Sequence, residues 1–76
     1  MLKIKVCYKD ENNETNWEEI RHLKPRRYMC GYTFDQILKY AKEELYWLDI
    51  NENDIYGFEI YSDKEHWIQP IYKNSK

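Results

Sequence analysis

The chain of 76 residues contains few of the residue types that interrupt or cross-link a fold: two glycines, two prolines and two cysteines. So little glycine and proline argues against a disordered chain or a loop-dominated disulfide knot. Two glycines could hardly build a glycine-rich phosphate-binding loop. Hydrophobic residues still make up 42% of the sequence, which indicates a globular domain with one modest core.

Signals for export and membrane insertion are also lacking. The first residues, MLKIKVCYK, show no charged region followed by a long apolar run, and no stretch approaches the length of a membrane span. We therefore expect a cytoplasmic protein without a membrane partner, located in the host cytoplasm if a phage encodes it. In that compartment Cys7 and Cys30 are expected to be free thiols.

Hydrophobic periodicity predicts four strands. Residues 2–8 alternate apolar and polar side chains, as a half-buried strand does. Residues 16–23 are assigned to a second strand ended by Pro25, although Trp17, Ile20 and Leu23 have the three-residue spacing of a helix. Residues 55–61 and 66–72 form an antiparallel pair around a turn at 62–65, with Pro70 marking an edge strand or its frayed end.

One helix is predicted over residues 31–48. Thr33 and Gln36 have the spacing of a capping box, and an apolar stripe follows at steps of three and four: Phe34, Ile37, Leu38, Ala41, Leu45 and Leu48. The order ββαββ predicts a small two-layer α+β domain, with the helix packed on one face of an antiparallel sheet. We expect a single domain over 1–76 with a loose tail at 73–76. The opposite sheet face must then be solvated or bound to a partner.

The sequence offers few catalytic candidates. Cys30 is the best, because it precedes the helix N-terminus near Arg26 and Arg27, an environment that lowers a thiol pKa. The commoner alternative is that the Cys30 side chain is buried and has only a structural role. A metal site built from Cys7, His22, Cys30 and His66 would lack any chelating pair of closely spaced ligands. We predict no enzyme, cofactor or metal, and rank a thiol-dependent enzyme using Cys30 third among the functions.

The predicted helix face opposite the apolar stripe carries two large aromatic residues among acidic ones. At 100° per residue Tyr40 and Trp47 lie on nearly one line, with Glu43 and Glu44 beside them. Tyrosine and tryptophan commonly anchor interfaces, which predicts a protein-binding site at these four residues. One alternative is that Trp47 lies past the helix end and folds back over the core. Another is that Tyr40 merely covers the fourth strand.

Composition suggests what kind of binder this is. The chain is rich in lysine, asparagine, isoleucine, tyrosine and glutamate, as AT-rich codons produce, and 17% of its residues are aromatic. In size and composition alone, it looks like the accessory proteins of phages and mobile elements, many of which inhibit one host protein. We predict a non-enzymatic protein-binding module, an inhibitor or accessory factor that occludes a host protein surface. A homodimer through the aromatic surface or an edge strand is compatible with this function.

Nucleic-acid binding is the alternative. A local basic segment, with aromatic residues beside it, comprises Arg21, Lys24, Arg26, Arg27, Tyr28 and Tyr32. Cations and aromatic rings together bind single strands through phosphate attraction and base stacking. The net charge is −2, however, and residues 35–65 hold nine acidic side chains against three lysines. The basic segment can equally be a solvated joint that ends a strand and leads into the helix.

Overall fold

A computed structural model describes residues 2–62 and 68–73, and it confirms the predicted α+β fold. The elements are β1 (Leu2–Lys9), β2 (Thr15–Glu19), α1 (Phe34–Trp47), β3 (Ile55–Ser62) and β4 (Ile68–Tyr72). The strands form one antiparallel sheet in the order β2-β1-β3-β4. The predicted start of β4 at 66–67 and the tail beyond residue 73 lie outside the described residues.

A tight turn fixes β2 against β1. The Asp10 carboxylate accepts hydrogen bonds from the backbone N–H groups of Asn12 and Glu14, both at 2.9 Å, and from the Asn16 side-chain amide at 2.7 Å. These bonds, chiefly the one from Glu14, hold the pKa of Asp10 below its ordinary value. Asn13 turns the chain with a φ of 63°, a left-handed conformation that asparagine tolerates. The turn therefore sets the register in which Cys7 faces Trp17.

The predicted second strand, 16–23, is too long. β2 ends at Glu19, so Pro25 does not terminate it. The segment that contains Trp17 is extended, so the helix that the spacing of Trp17 and Ile20 would allow does not form. Trp17 is exposed while Ile20 is buried, because an odd separation along extended chain places side chains on opposite faces. A 3₁₀ helix that the pattern did not predict, Arg27–Gly31, then leads to α1, and buried Met29 joins its residues to the core.

α1 begins at Phe34, three residues later than predicted, and its capping box is confirmed. Thr33 Oγ1 accepts from the Gln36 N–H at 3.2 Å, and Gln36 Oε1 accepts from the Thr33 N–H at 2.9 Å. Four residues of the predicted stripe are buried against the sheet: Phe34, Ile37, Ala41 and Leu45. Leu38 and Leu48 are only half-buried and flank that core.

The two faces of the sheet differ as expected. Ile4, Val6, Phe58 and Ile60 are fully buried on the side that also holds α1 in the core cluster. The opposite face carries exposed apolar side chains from both edge strands, among them Trp17, Ile68 and Tyr72. No helix among the described residues covers this face, which we call the open sheet face.

Pro70 lies on an edge strand, as predicted, at a position where its missing N–H removes no hydrogen bond to β3. The Lys73 N–H donates to the Tyr56 carbonyl at 2.9 Å, and hydrogen-bonded pairs alternate along an antiparallel ladder. Pro70 faces Glu59 at a pair that exchanges no such bonds. The N–H that proline lacks would therefore have pointed away from β3, so this edge of the sheet has lost one of its outward donors.

Candidate protein-binding site

The C-terminal end of α1 displays its aromatic residues because the chain turns away abruptly. Asp49 adopts a φ of 59°, and its N–H donates to the Tyr46 carbonyl at 3.1 Å. The Ile50 N–H donates to the Leu45 carbonyl at 3.1 Å, which completes a Schellman motif. Trp47 is thus the last helical residue, and its side chain is 74% exposed. The alternative that Trp47 folds back over the core is wrong.

Tyr46 belongs to this aromatic surface, although the sequence analysis did not include it. Its side chain is 75% exposed, and its ring lies 5.6 Å from that of Trp47 at an interplanar angle of 79°. Edge-to-face contact of this kind is a favourable arrangement of two rings. Tyr46 lies off the line joining Tyr40 and Trp47, so a helical projection excluded it. The adjacent letters YW were the only signal of the contact.

Tyr40, Glu44 and Trp47 follow one another at steps of four and three residues and so share one flank of α1; we call them the helix stripe. Tyr40 is 37% exposed, which is much less than Trp47. Glu44 is half-buried, and Glu43 is exposed on the neighbouring line of the helix. The four predicted residues therefore lie together on the outer part of α1, with Trp47 the most accessible of the aromatic pair.

A cleft of about 530 Å³ separates β2 from α1; we call it the edge cleft. Its walls are formed by Trp17, Glu18, Glu19, Ile20, Arg21, His22, Glu44 and Leu48. It brings together Glu44, predicted for protein binding, and Arg21, predicted for nucleic-acid binding. The cleft is lined by three glutamates and Arg21, so its net charge is unfavourable for a phosphate.

The remaining residues of the basic segment are placed around the 3₁₀ helix. Arg26 precedes that helix and Arg27 begins it, and both side chains are exposed, as is Lys24. Tyr28 is exposed, whereas Tyr32 is half-buried and packs against the core, with 6.0 Å between the two ring centroids. The segment does connect β2 to α1, as the joint interpretation expected.

The open sheet face holds a cluster of one lysine and two aromatic rings that no sequence pattern predicted. The Lys5 ammonium lies 4.0 Å from the centre of the Trp17 ring and 4.8 Å from that of Tyr61. Both distances permit cation–π attraction. The alternation in β1 placed Lys3, Lys5 and Cys7 on this face, but the pairing of β1 with β3 was needed to bring Tyr61 alongside.

Neither thiol is activated. Burial raises the pKa of Cys7 to about 11, and it also raises the pKa of Cys30, although the Arg27 charge acts in the opposite direction. The expected lowering of the Cys30 pKa is therefore wrong. Cys30 lines a second cleft of about 640 Å³ beside β4, and no histidine is among that cleft's described lining residues. Residues 2–62 and 68–73 contain no cluster of three side chains suited to a metal ion.

Comparisons with protein families, curated proteins and solved structures gave no significant match. Within the part of the chain that the structure describes, no helix has the length and apolar character needed to cross a bilayer.

Proposed function

We propose that this chain is a non-enzymatic protein-binding module that occludes a surface of a host protein, as an inhibitor or accessory factor does. The observation that carries the proposal is the exposed Trp47 at the end of α1, held edge-to-face by an equally exposed Tyr46. Large aromatic side chains are costly to leave in water, and tryptophan and tyrosine are the residues most often found as binding hot spots.

The surroundings of Trp47 support a partner with a basic surface. Glu43 and Glu44 lie on the same part of α1, and Asp49 lies two residues past the helix end. Carboxylates around an aromatic anchor speed association with a positively charged partner and disfavour a negatively charged one. Contact between the two rings also restricts their rotamers before binding, which lowers the entropy lost on association.

The test compares two single variants of exposed aromatic residues. Trp47→Ala removes the proposed anchor, and Tyr28→Ala is the matched control, because Tyr28 is 62% exposed but lies in the 3₁₀ helix. Immobilised wild-type protein and both variants are used to capture partners from lysate of a low-GC bacterium, and captured proteins are quantified by mass spectrometry. The affinity of any protein that depends on Trp47 is then measured with purified components.

We expect Trp47→Ala to weaken binding by about 2 kcal/mol or more, as hot-spot truncation does, and Tyr28→Ala to leave it nearly unchanged. Circular dichroism must first show that both variants are folded. Equal binding by the wild type and Trp47→Ala would contradict the proposal. So would a partner lost only from Tyr28→Ala, since binding would then use the basic segment.

A second candidate function, single-stranded nucleic-acid binding, is favoured by the position of Lys5 between Trp17 and Tyr61 on the open sheet face. Aromatic platforms with nearby lysines hold bases and phosphates. Fluorescence anisotropy with a labelled single-stranded oligonucleotide tests it. This candidate predicts binding at low salt that weakens steeply as salt rises and is lost in Lys5→Ala. It further predicts that Arg26→Ala binds the oligonucleotide normally. If the basic segment is the site, Arg26→Ala should lose binding and Lys5→Ala should keep it. No binding by the wild type at low salt eliminates both versions.

A further inference from the structure

β2 has an unoccupied outer side. The Ile20 N–H donates to the Ile4 carbonyl at 2.9 Å, which identifies Ile4–Ile20 as a hydrogen-bonded pair of the ladder. Such pairs alternate in an antiparallel ladder, so Thr15, Trp17 and Glu19 lie at the pairs that exchange no bonds with β1. Their N–H and C=O groups point away from the sheet. Among the described residues, no strand lies beyond β2 to receive them.

The edge cleft lies beside this open side. Because Trp17, Glu18 and Glu19 form its β2 wall and Glu44 and Leu48 its helix wall, a chain lying along β2 would have α1 next to it. Extended peptides bind other proteins in this way, with main-chain bonds to an edge strand and alternate side chains entering a neighbouring groove. A volume of about 530 Å³ is large enough for side chains of a bound segment.

The charges around the edge cleft indicate which side chains a peptide segment bound there should carry. Among the described residues, Glu18, Glu19 and Glu44 line the cleft together with one cation, Arg21. Glu18 and Glu44 are both half-buried, so part of each side chain lies in the wall of the cleft. A segment with lysine or arginine at the positions that face the cleft would match these carboxylates. A second copy of this chain would instead bring the same carboxylates against one another at β2.

We propose that β2 receives an extended, lysine- or arginine-bearing segment of the partner protein as a fifth strand, with its basic side chains in the edge cleft. This inference rests on the proposed protein-binding function and adds a binding mode to it. The helix stripe lies on the flank of α1 that carries Glu44, so Trp47 can contact the partner beyond the added strand. The opposite sheet edge, β4, is less suited to pairing with an added strand, since Pro70 has no N–H to donate there.

The test places a proline in β2 at the kind of ladder position that Pro70 occupies in β4. Glu19→Pro deletes an outward N–H at a pair that exchanges no bonds with β1, the same kind of position that Pro70 occupies on β4. Glu19→Ala is the matched control, because it removes the same carboxylate and keeps the N–H. The probe is a displayed library of random peptides about nine residues long, selected against the wild-type protein. Selected peptides are synthesised, and their affinities for both variants and for Trp47→Ala are measured by fluorescence anisotropy.

We expect the selected peptides to alternate basic residues with others and to bind Glu19→Pro about tenfold more weakly than Glu19→Ala, as the loss of one main-chain bond implies. Their binding should shift the amide resonances of Thr15, Trp17 and Glu19. Peptides that bind both Glu19 variants equally, or a library that yields no peptide, would overturn strand addition. Peptides lost only from Trp47→Ala would overturn it as well, while leaving the protein-binding function in place. A wild-type dimer that Glu19→Pro dissociates would show that a second copy occupies β2, and would also overturn it.

Discussion

Two leucines of α1 that look equivalent in sequence should differ sharply in their effect on stability. Leu45 is 3% exposed within the core cluster, whereas Leu38 is only half-buried at its margin. Replacing a fully buried leucine by alanine costs roughly 2.7–5 kcal/mol, since a cavity remains. Leu38→Ala removes less buried surface and leaves an opening that water can fill, so we expect a smaller cost of roughly 1–2 kcal/mol.

Thermal unfolding followed by circular dichroism measures both variants. In a domain of this size each kcal/mol lowers Tm by roughly 4–8 °C, so about 3 kcal/mol in Leu45→Ala corresponds to a fall of roughly 12–24 °C. A small core without cross-links supplies only about 3–5 kcal/mol in total, and Leu45→Ala should therefore be at most marginally stable at 37 °C. If Leu38→Ala lowers Tm as much as Leu45→Ala does, the orientation of α1 on the sheet is not the one described.

Two further predictions concern the open sheet face. The Cys7 pKa of about 11, against an ordinary value of 9.0, predicts that iodoacetamide alkylates Cys7 roughly a hundredfold more slowly at pH 8 in folded than in unfolded protein. The raised pKa also means that folding stability declines as pH rises above about 9, where only the unfolded thiol ionises, and Cys7→Ser should remove that part of the decline. A Cβ at Gly57 would lie 2.6 Å from Tyr72 Cδ1, so Gly57→Ala should destabilise the wild type in urea unfolding. In a Tyr72→Ala background the same change should destabilise less, because only the 3.3 Å approach of the Cβ to the Ile71 carbonyl oxygen remains; equal effects in both backgrounds would refute the contact with Tyr72.

Local sequence was sufficient wherever one element's own geometry decided the outcome. The alternation of Leu2, Ile4 and Val6 predicted β1, and the spacing of Thr33 and Gln36 predicted the capping box. Both features depend on residues within a few positions of one another. β2 was overextended because its five residues are too short to show a clear period, and the helical spacing of Trp17 and Ile20 competed with it.

Features that depend on distant residues could not be predicted in this way. The edge cleft exists because Glu44 of α1 and Leu48 just past its end lie near Glu18 and Arg21, more than twenty positions earlier in the chain. The cation–π cluster likewise requires Lys5 to meet Tyr61 through the pairing of β1 with β3, which no local pattern encodes. Exposure of Trp47 was predicted from helix periodicity, but its contact with Tyr46 depends on side-chain rotamers.

The two edges of the sheet limit how many further strands this molecule can pair with. A linear polymer grows only when every unit offers two complementary edges, and here Pro70 has removed a donor from one of them. A strand that pairs with β2 occupies the other edge, and the complex then has only the β4 edge, which contains Pro70, available for pairing. Pairing by strands should thus stop at a single event per molecule, so crowding or high expression would give finite complexes instead of fibres.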